Sequence, residues 1–323
     1  MTKAELCLQK LRELTEIKEN YPLANLTSYH IGGPAKYYCQ LTELRLIPLI
    51  WQLIKQWQMP HCLLGSGSNV LINDLGYEGL VIRVGLNKID VNEQTIVASS
   101  DISLVSLVST ALENNLSGLE FAVGIPGSTG GAVVGNAGAY GGQIADLVTN
   151  CLILNEEYRL VTLTKEQLQF SYRDSIFKHR DLLLIQTTFN LAPGLSSEIQ
   201  RKMLEYNTDR WSKQPAYPSA GSVFKNIVLT EQVLAVLKKT ISQEIPDQYR
   251  QYGKIPAAWL IDLAGLKGKC FGGAMISEKH ANFIINYNQA TSADVIQAIN
   301  FIKNKVNDLF QIKLEEEIRY IGF

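Results

Sequence analysis

The apolar and polar residues of the chain follow helical and strand periods in alternation, which is typical of an α/β protein. Apolar residues recur every three or four positions from Ala4 to Leu14 and predict an amphipathic helix over residues 3–18. Shorter segments follow, in which the hydrophobic period of a strand alternates with that of a helix. They predict a strand at 36–40, a helix at 43–58 and strands at 61–64, 80–84 and 95–98.

The mixed pattern continues to residue 191, and a polar helix within 193–212 leads into a last domain with an α+β pattern. A helix over 103–114, capped by Asp101 or Ser103, precedes a hairpin of strands 151–154 and 159–163 and a strand at 182–191. Further on, the periods predict helices at 256–264 and 292–303 and a strand at 281–286. Residues 312–321 alternate as one strand, so that Glu316 lies on the apolar face and Glu315, Glu317 and Arg319 lie on the other.

Glycine is concentrated in two places. Eight of the 24 glycines lie in the nineteen residues Gly124–Gly142, and a smaller cluster, Gly65–Asn69, follows an apolar run. Such a density of glycine indicates positions where φ is positive or where a ligand touches the main chain. Successive N–H groups in such loops can bind anions. The two clusters suggest a large phosphorylated ligand. Tight turns of a β-rich domain explain the same glycines, and neither cluster has a phosphate-loop or dinucleotide pattern.

Composition excludes several classes of protein. A chain of 323 residues with 46% hydrophobic and 19% charged residues predicts an ordinary globular protein of two or three domains. A net charge of −1 gives no reason to expect nucleic acid or an anionic membrane as the main partner. Five scattered cysteines and four histidines lack metal-ligand spacing, so no metal is expected. Without a signal-peptide core or a membrane-length apolar run, we expect a cytoplasmic protein.

Two segments carry residues suited to chemistry. Pro218–Asn226 places Ser222 close to Lys225 among small residues, although a turn in which the serine bonds its own backbone is the commoner explanation of such a segment taken alone. A serine needs neighbouring charges to act as an acid or a nucleophile. In the last segment, Glu315 and Glu317 are either solvated charges or carboxylates that face a cleft.

Seven motifs in a fixed order then allow a comparison with a known family. They are Asn25–Ala35, Gly65–Asn69, Gly124–Gly142, Phe170–Ser175, Pro218–Asn226, Ile276–Asn282 and Leu314–Ile318. Together they resemble the UDP-N-acetylenolpyruvoylglucosamine reductases (MurB), flavoenzymes of peptidoglycan precursor synthesis. The resemblance extends from about residue 22 to the carboxyl terminus.

The resemblance implies a fold and a domain division. The fold class is α/β and α+β, with a two-part FAD-binding domain of the vanillyl-alcohol-oxidase type and a C-terminal α+β substrate domain. The expected domains are residues 1–85, with the N-terminal helix and the first FAD-binding subdomain, 86–210, with the second subdomain, and 211–323, which binds substrate.

The resemblance also assigns residues to the site. FAD would be bound noncovalently by Gly65, Ser66, Gly67, Ser68, Asn69, Gly124, Ile125, Pro126, Gly127, Ser128, Asn136, Gly138, Ala139 and Tyr140. Ser222 matches the proton donor, Arg173 and Glu317 match the residues that stabilise the enolic intermediate, and Lys225 and Asn226 match substrate contacts. NADPH is the implied reductant. Proline is common in the family at the position of Glu316, which leaves Glu315 as a competing carboxylate.

The implied partners and the alternatives complete the expectation. The expected partner is a UDP-sugar enolpyruvate, with no nucleic acid, no membrane insertion and a monomeric chain. One alternative is a flavin-dependent hydroxy-acid oxidase or dehydrogenase of the same fold, although the histidine that often attaches FAD in such enzymes is absent from Gly65–Asn69. Another is a noncatalytic nucleotide-binding protein, against which the presence of Arg173, Ser222 and Glu317 argues.

Overall fold

The structure is a computed structural model that describes residues 3–323. Within this range the α-helices are α1 Lys3–Arg12, α2 Ile47–Gln56, α3 Leu104–Glu113, α4 Thr129–Val134, α5 Ile144–Leu147, α6 Ser196–Lys213, α7 Glu231–Thr240, α8 Asp247–Gln251, α9 Ala257–Leu263 and α10 Ser292–Phe310. Short 3-10 helices lie at Ala24–Leu26, Leu44–Leu46, Glu120–Ala122, Glu166–Leu168 and Ile176–Lys178.

The β-strands are mostly short. They are β1 Ile17–Pro22, β2 Pro34–Leu41, β3 His61–Leu63, β4 Val70–Ile72, β5 Tyr77–Val84, β6 Ile89–Asn92, β7 Thr95–Ser99, β8 Leu116–Ser117, β9 Gly138–Ala139, β10 Gly142–Gln143, β11 Val148–Leu154, β12 Leu160–Thr164, β13 Leu183–Asn190, β14 Ala192–Pro193, β15 Ser219–Ser222, β16 Ile227–Val228, β17 Lys254–Ile255, β18 Cys270–Phe271, β19 Ala274–Ile276, β20 Phe283–Asn286 and β21 Arg319–Ile321.

The described chain divides into two compact units. Unit 1 contains the chain up to Pro22 together with Pro34–Gly67 and Tyr77–Ser212. Unit 2 contains Leu23–Gly33, Ser68–Gly76 and Lys213–Phe323. The chain therefore leaves unit 1 twice, for two short segments that belong to unit 2, before its last third completes that unit.

Unit 1 contains two larger sheets, besides the two-stranded pairs β9–β10 and β8–β14. The first has the strand order β1-β2-β5-β3, in which β2, β5 and β3 are parallel and β1 is antiparallel to β2. One face of α2 buries Ile47, Ile50, Trp51 and Ile54 in the core that this sheet shares with α1. Proline is tolerated in the first turn of α2 because the N–H that it lacks has no helical partner there.

The second sheet of unit 1 is antiparallel throughout. Its strand order is β12-β11-β13-β7-β6. Helix α3 begins after Ser103, whose hydroxyl accepts a hydrogen bond from the main-chain N–H of Ser106 at 2.9 Å. Its buried face, Leu104, Leu107, Val108 and Ala111, enters the apolar core on this sheet.

Unit 2 is built on a four-stranded antiparallel sheet of order β15-β20-β19-β18. Helix α10 buries Val295, Ile299, Ile302 and Val306 in the core of this unit. Strands β21 and β4 pair in parallel, which joins the carboxyl-terminal segment to Ser68–Gly76. No helix of residues 3–323 is long and apolar enough to cross a membrane.

Most elements expected from the periods are present, but several described elements, among them β1, α4 and α7, had no counterpart in the expectation. The helix expected over 3–18 ends at Arg12, because residues from Ile17 onward pair with β2 instead. Strand β6 has no counterpart among the expected elements. The single strand expected over 312–321 is wrong in extent, since Glu316 bridges to Phe224 and only β21 pairs with β4. The alternation of buried and exposed residues along it is nevertheless present.

The cap of α10 gives a test of the fold. Thr291 accepts a hydrogen bond from the main-chain N–H of Asp294, and the carboxylate of Asp294 accepts one from the main chain of Thr291. We expect Thr291→Ala to lower the free energy of unfolding by about 1 kcal/mol in urea titrations, because this capping bond is lost. The control is Gln297→Ala, an exposed residue inside α10. Equal losses in both variants would contradict the assigned cap.

Candidate active site

The two glycine clusters meet within unit 1. A Cβ added to Gly65 would lie 2.9 Å from the Oγ of Ser128, closer than real Cβ atoms approach another atom. Gly65 lies in the loop after β3, and Ser128 is the N-cap of α4, where its hydroxyl accepts a hydrogen bond from the N–H of Gly131 at 3.2 Å. The main chain of the first loop is therefore in direct contact with the start of the second.

The first loop has main-chain donors available. Within residues 3–323, no protein acceptor receives a hydrogen bond from the N–H groups of Gly65, Ser66 or Gly67. Gly67 is buried and has φ of +63°, a value that glycine adopts without strain. Successive donors of this kind fit an anionic phosphate group, and the buried N–H of Gly67 in particular requires an acceptor.

The glycines of the second cluster have two different roles. At Gly130, Gly138 and Gly142 an added Cβ would lie within 2.6–2.8 Å of Ser100, Gly142 and Phe121 respectively, so these glycines permit packing of the protein on itself. At Gly141 no other atom lies within 4 Å of an added Cβ. Tight packing thus explains part of the cluster, whereas at Gly141 the main chain is left open to a ligand.

The segment after α4 is held by its own side chains. Asn136 is 3% exposed, and its amide donates to the carbonyl of Ser171 at 2.8 Å and to Gln143 at 3.2 Å. Its side-chain oxygen accepts from the N–H of Ala145 at 3.0 Å. Because the whole amide group is used inside unit 1, a cofactor contact at Asn136 is left to its main chain.

Helix α6 contributes residues that sequence reasoning did not select. The ring of Tyr140 stacks on Tyr206 with centroids 4.3 Å apart, and its hydroxyl donates to Asp209 at 3.1 Å. A Cβ at Gly124 would lie 2.9 Å from the side-chain oxygen of Asn207 and 3.3 Å from Arg210. The spacing of residues 196–212 indicates a helix, but it does not report which face meets the glycine cluster, because that contact joins residues distant in sequence.

Burial and charge shift two pKa values in this cluster. Burial raises the pKa of Tyr140, and the hydrogen bond to Asp209 raises it further. Burial also lowers the pKa of the Arg210 guanidinium, a change that Tyr140 and Asp209 oppose. Arg210 nevertheless stays a cation, because a guanidinium is protonated across the physiological range. The cluster therefore places one partly buried positive charge beside Gly124.

Arg173 lies in a tight turn of unit 1. The main-chain groups of Ser171 and Asp174 pair across the turn, and Arg173 has φ of +59°, a left-handed conformation that is uncommon for a residue with a Cβ. Its guanidinium donates to the carbonyl of Gly138 at 3.1 Å. The geometry directs Arg173 toward the second glycine cluster.

The carboxylate next to Arg173 stabilises this turn. Asp174 accepts a hydrogen bond from Nε2 of His179 at 2.8 Å and one from the N–H of Ser175 at 2.9 Å. Burial by itself would raise the pKa of Asp174, but these hydrogen bonds outweigh burial and the pKa is lowered. Asp174 is therefore an anion whose acceptors are used within the turn.

Ser222 ends strand β15 in unit 2. Gly221, with φ of +75°, precedes it at an irregularity of the β15–β20 pairing, and Ser222 pairs with Phe283. Among residues 3–323, the Oγ of Ser222 has no hydrogen-bond partner. The hydroxyl is half-buried and can donate to a ligand.

The residues after Ser222 pair with the carboxyl-terminal segment. The N–H of Glu317 donates to the carbonyl of Val223 at 2.7 Å, and the N–H of Lys225 donates to the carbonyl of Glu315 at 2.9 Å. The side chain of Asn69 donates to the carbonyl of Glu317 at 3.0 Å. Unit 2 thus places Ser222 and Glu317 at neighbouring positions on two paired segments.

The three glutamates of this segment have different surroundings. Glu315 forms an ion pair with Lys225, and its side chain is 73% exposed. Glu316 forms an ion pair with Lys303 at 2.7 Å and accepts a hydrogen bond from the hydroxyl of Tyr320. Burial raises the pKa of Tyr320, and this hydrogen bond raises it further. The carboxylates of Glu315 and Glu316 are therefore both used in contacts within unit 2.

Residues 35–164 match the family described as FAD binding domain. The match runs from β2 to β12 and contains both glycine clusters, and it defines the chain as a flavoprotein that binds FAD. Residues 214–321, almost all of the last third, match the family described as the C-terminal domain of UDP-N-acetylenolpyruvoylglucosamine reductase.

Whole-chain relatives agree with both matches. A UDP-N-acetylenolpyruvoylglucosamine reductase of Latilactobacillus sakei is 38% identical over 308 residues, covering 95% of this chain and 93% of the relative. One from Clostridium botulinum strain 657 is 38% identical over 93% of this chain and 91% of the relative. The crystal structure of the Thermus caldophilus enzyme (MurB) superposes with a TM-score of 0.74 at 29% identity, covering 95% of this chain and 99% of that one.

The chain therefore belongs to the UDP-N-acetylenolpyruvoylglucosamine reductase family, and the resemblance stated from its motifs is confirmed. The expected fold class is confirmed as well, with a FAD-binding fold followed by a C-terminal α+β part. The individual site residues and the three domain boundaries stay predictions.

Gly65 gives a direct test of the FAD loops. We expect Gly65→Ala to weaken FAD binding about tenfold. The new methyl group would be too close to Ser128, so the loop must move away from its FAD-binding position, and a tenfold loss corresponds to a cost of about 1.4 kcal/mol in binding free energy. Titration of the apoprotein with FAD, followed by flavin fluorescence, measures the change.

The matched control is Gly85→Ala. This is the same chemical change in unit 1, but outside both glycine clusters, where the added Cβ would lie 2.2–2.6 Å from the side chain of Gln40, a tighter contact than that at Gly65. We expect it to bind FAD as the wild type does. Wild-type affinity in Gly65→Ala would show that the contact with Ser128 does not shape the FAD loops.

Proposed function

We propose that this chain reduces the enolpyruvyl group of UDP-N-acetylglucosamine enolpyruvate to give UDP-N-acetylmuramate, with FAD as a noncovalent cofactor and NADPH as reductant. Membership of the family supports the activity. The observation that carries the assignment of residues is the main-chain pairing of Val223 with Glu317, which holds the proposed acid and a carboxylate together in unit 2.

The residues present fit FAD. The donors of Gly65–Gly67 would receive the pyrophosphate, and Gly124–Ser128 with Asn136–Tyr140 would contact the flavin part through main chain. Ser68 and Asn69 extend the first loop, although the amide of Asn69 already donates to Glu317. The chemistry that bound FAD would supply is hydride transfer from NADPH to the methylene carbon of the enolpyruvyl group.

Ser222 is the proposed proton donor. Reduction of the double bond adds one hydride to the methylene carbon and one proton to the carbon that bears the carboxylate. The hydroxyl of Ser222 has no protein partner among residues 3–323, so its proton can be directed to that carbon. The alkoxide left behind takes a proton from solvent, which restores the enzyme.

Arg173 and Glu317 are the proposed stabilising residues. The guanidinium of Arg173 can pair in bidentate fashion with a carboxylate, which favours the enolic form of the substrate as charge develops there. Glu317 would organise the hydrogen bonds around Ser222, since the two lie on paired segments.

Lys225 and Asn226 are proposed as substrate contacts. The oxygen of the Asn226 amide accepts a hydrogen bond from the N–H of Ala257 at 3.3 Å, which orients its NH₂ group as a donor for phosphate or carboxylate oxygens. Lys225 is paired with the exposed Glu315, and it could exchange this solvated partner for a substrate anion at little cost.

The organisation of the chain completes the proposal. We propose FAD-binding subdomains at 1–85 and 86–210, a substrate domain at 211–323, and a monomeric enzyme of the cytoplasm. The hydroxy-acid oxidase and noncatalytic alternatives have less support, because the C-terminal match is to the reductase family.

The role of Ser222 can be tested by Ser222→Ala. We expect anaerobic flavin reduction by NADPH at the wild-type rate and product formation slowed about 10²-fold, the contribution of a positioned acid. Stopped-flow absorbance measures both steps. Ser242→Ala, which removes an exposed hydroxyl elsewhere in unit 2, is the control and should keep both rates. Undiminished turnover in Ser222→Ala would remove Ser222 from the proposed role.

The choice between the two exposed-face glutamates gives a second test. We expect Glu317→Gln to lower kcat about 10- to 100-fold, because a charge-assisted hydrogen bond is worth about 1.5–3 kcal/mol. Glu315→Gln removes only a solvated ion pair and should change kcat by less than about threefold. The reverse order of effects would assign the catalytic carboxylate to Glu315.

A further inference from the structure

Asn282, the last residue of the motif Ile276–Asn282, has no place in the function proposed above. Its side chain is 3% exposed and lies against the main chain of Phe224. The N–H of Phe224 donates to Oδ1 of Asn282 at 2.9 Å, and Nδ2 of Asn282 donates to the carbonyl of Phe224 at 2.8 Å. The side-chain amide thus pairs with Phe224 as a neighbouring strand would.

The side-chain amide of Asn282 extends the hydrogen-bond ladder between β15 and β20 past the point where the main-chain pairing ends. Strands β15 and β20 pair as far as Ser222 and Phe283, and the N–H of Val223 then donates to the carbonyl of Asn282 at 2.8 Å. Beyond this point the chain of the motif turns away, with the N–H of Phe283 bonded to the carbonyl of His280. Main-chain partners for Phe224 are therefore absent on this side, and the Asn282 amide takes their place.

The other side of the same segment pairs with the glutamates. Val223 accepts from the N–H of Glu317, Phe224 bridges to Glu316, and Lys225 donates to the carbonyl of Glu315. Residues 223–225 consequently form a central segment between Asn282 on one edge and 315–317 on the other. The position of this segment sets where Ser222 and Glu317 lie with respect to each other.

We propose that Asn282 is a positioning residue for the reaction: its side-chain amide fixes Phe224, and through residues 223–225 it holds the hydroxyl of Ser222 and the carboxylate of Glu317 in register. This inference rests on the proposed function. Asn282 does not touch the reacting atoms in this assignment. It acts through the main chain of its neighbour.

The chemistry of the amide explains why another side chain would not serve. Asparagine offers one acceptor and two donors in a plane, which matches the N–H and C=O of a single residue. An apolar side chain of similar size leaves both Phe224 groups without partners in a buried place, so the segment shifts to find others. A shift of about 1 Å at a reacting group can lower a rate about 10²-fold.

The test compares Asn282→Leu with a matched control in the same strand region. Asn286 also uses its amide between two main-chain groups, donating to the carbonyl of Tyr29 at 3.1 Å and accepting from the N–H of Ala290 at 2.8 Å, but neither belongs to 222–225. Asn286→Leu therefore removes an equivalent amide without touching that segment. Both variants are purified with FAD bound.

Two readouts are expected to separate the variants. In Asn282→Leu, reoxidation of the NADPH-reduced flavin by the enolpyruvyl sugar nucleotide slows about 10- to 100-fold, while flavin reduction by NADPH is unchanged. Amide hydrogen exchange in the peptide containing Phe224 becomes at least about tenfold faster. Asn286→Leu keeps both values. If Asn282→Leu does not fold, Asn282→Gln is used instead, which retains the amide on a longer side chain. We expect it to show slower reoxidation and faster exchange as well, with a smaller magnitude.

The outcomes distinguish this inference from the proposed function. A wild-type protein whose reduced flavin is not reoxidised by the enolpyruvyl sugar overturns the proposed function and the inference with it. If the wild type is active, equal slowing of reoxidation in the Asn282 and Asn286 variants overturns the inference alone, since it then reflects general loss of packing. Unchanged exchange at Phe224 overturns it as well.

Discussion

The site in unit 2 depends on one constraint, the pairing of residues 223–225 with 315–317. Neither segment continues a regular sheet at this point, and three main-chain contacts join them, at Val223, Phe224 and Lys225. Because main-chain hydrogen bonds fix register, the side chains that flank them cannot slide past one another. The flexible Gly221 and the exposed Glu315 can vary around this pairing, but Ser222 and Glu317 keep their relation through it.

The FAD loops of unit 1 illustrate a different use of backbone. Glycine at position 65 allows the first loop to touch Ser128, and the donors of Gly65–Gly67 are not used by the protein. Main-chain N–H groups that have no protein acceptor favour the binding of an anion, whose oxygens accept their hydrogen bonds. Elsewhere in the same cluster, as at Gly130 and Gly142, the missing side chain serves packing alone. Density of glycine in a sequence does not separate these two uses.

Sequence periodicity predicted the elements with strong apolar faces, such as α3 and α10, and the motif order predicted the family. It overextended the first helix, because residues after Arg12 pair with β2 and tertiary pairing outweighed the local period. It also gave a single strand for 312–321, where two partners interrupt the ladder. The contacts of α6 with the glycine cluster and the amide pairing of Asn282 join residues distant in sequence, and no local pattern reports them.

The most direct test of the account is an anaerobic titration of the purified yellow protein. NADPH should bleach the flavin absorbance, and one equivalent of UDP-N-acetylglucosamine enolpyruvate per flavin should restore it with formation of UDP-N-acetylmuramate. A reduced flavin that regains its colour only when oxygen is admitted, with the sugar nucleotide unchanged, would contradict the account.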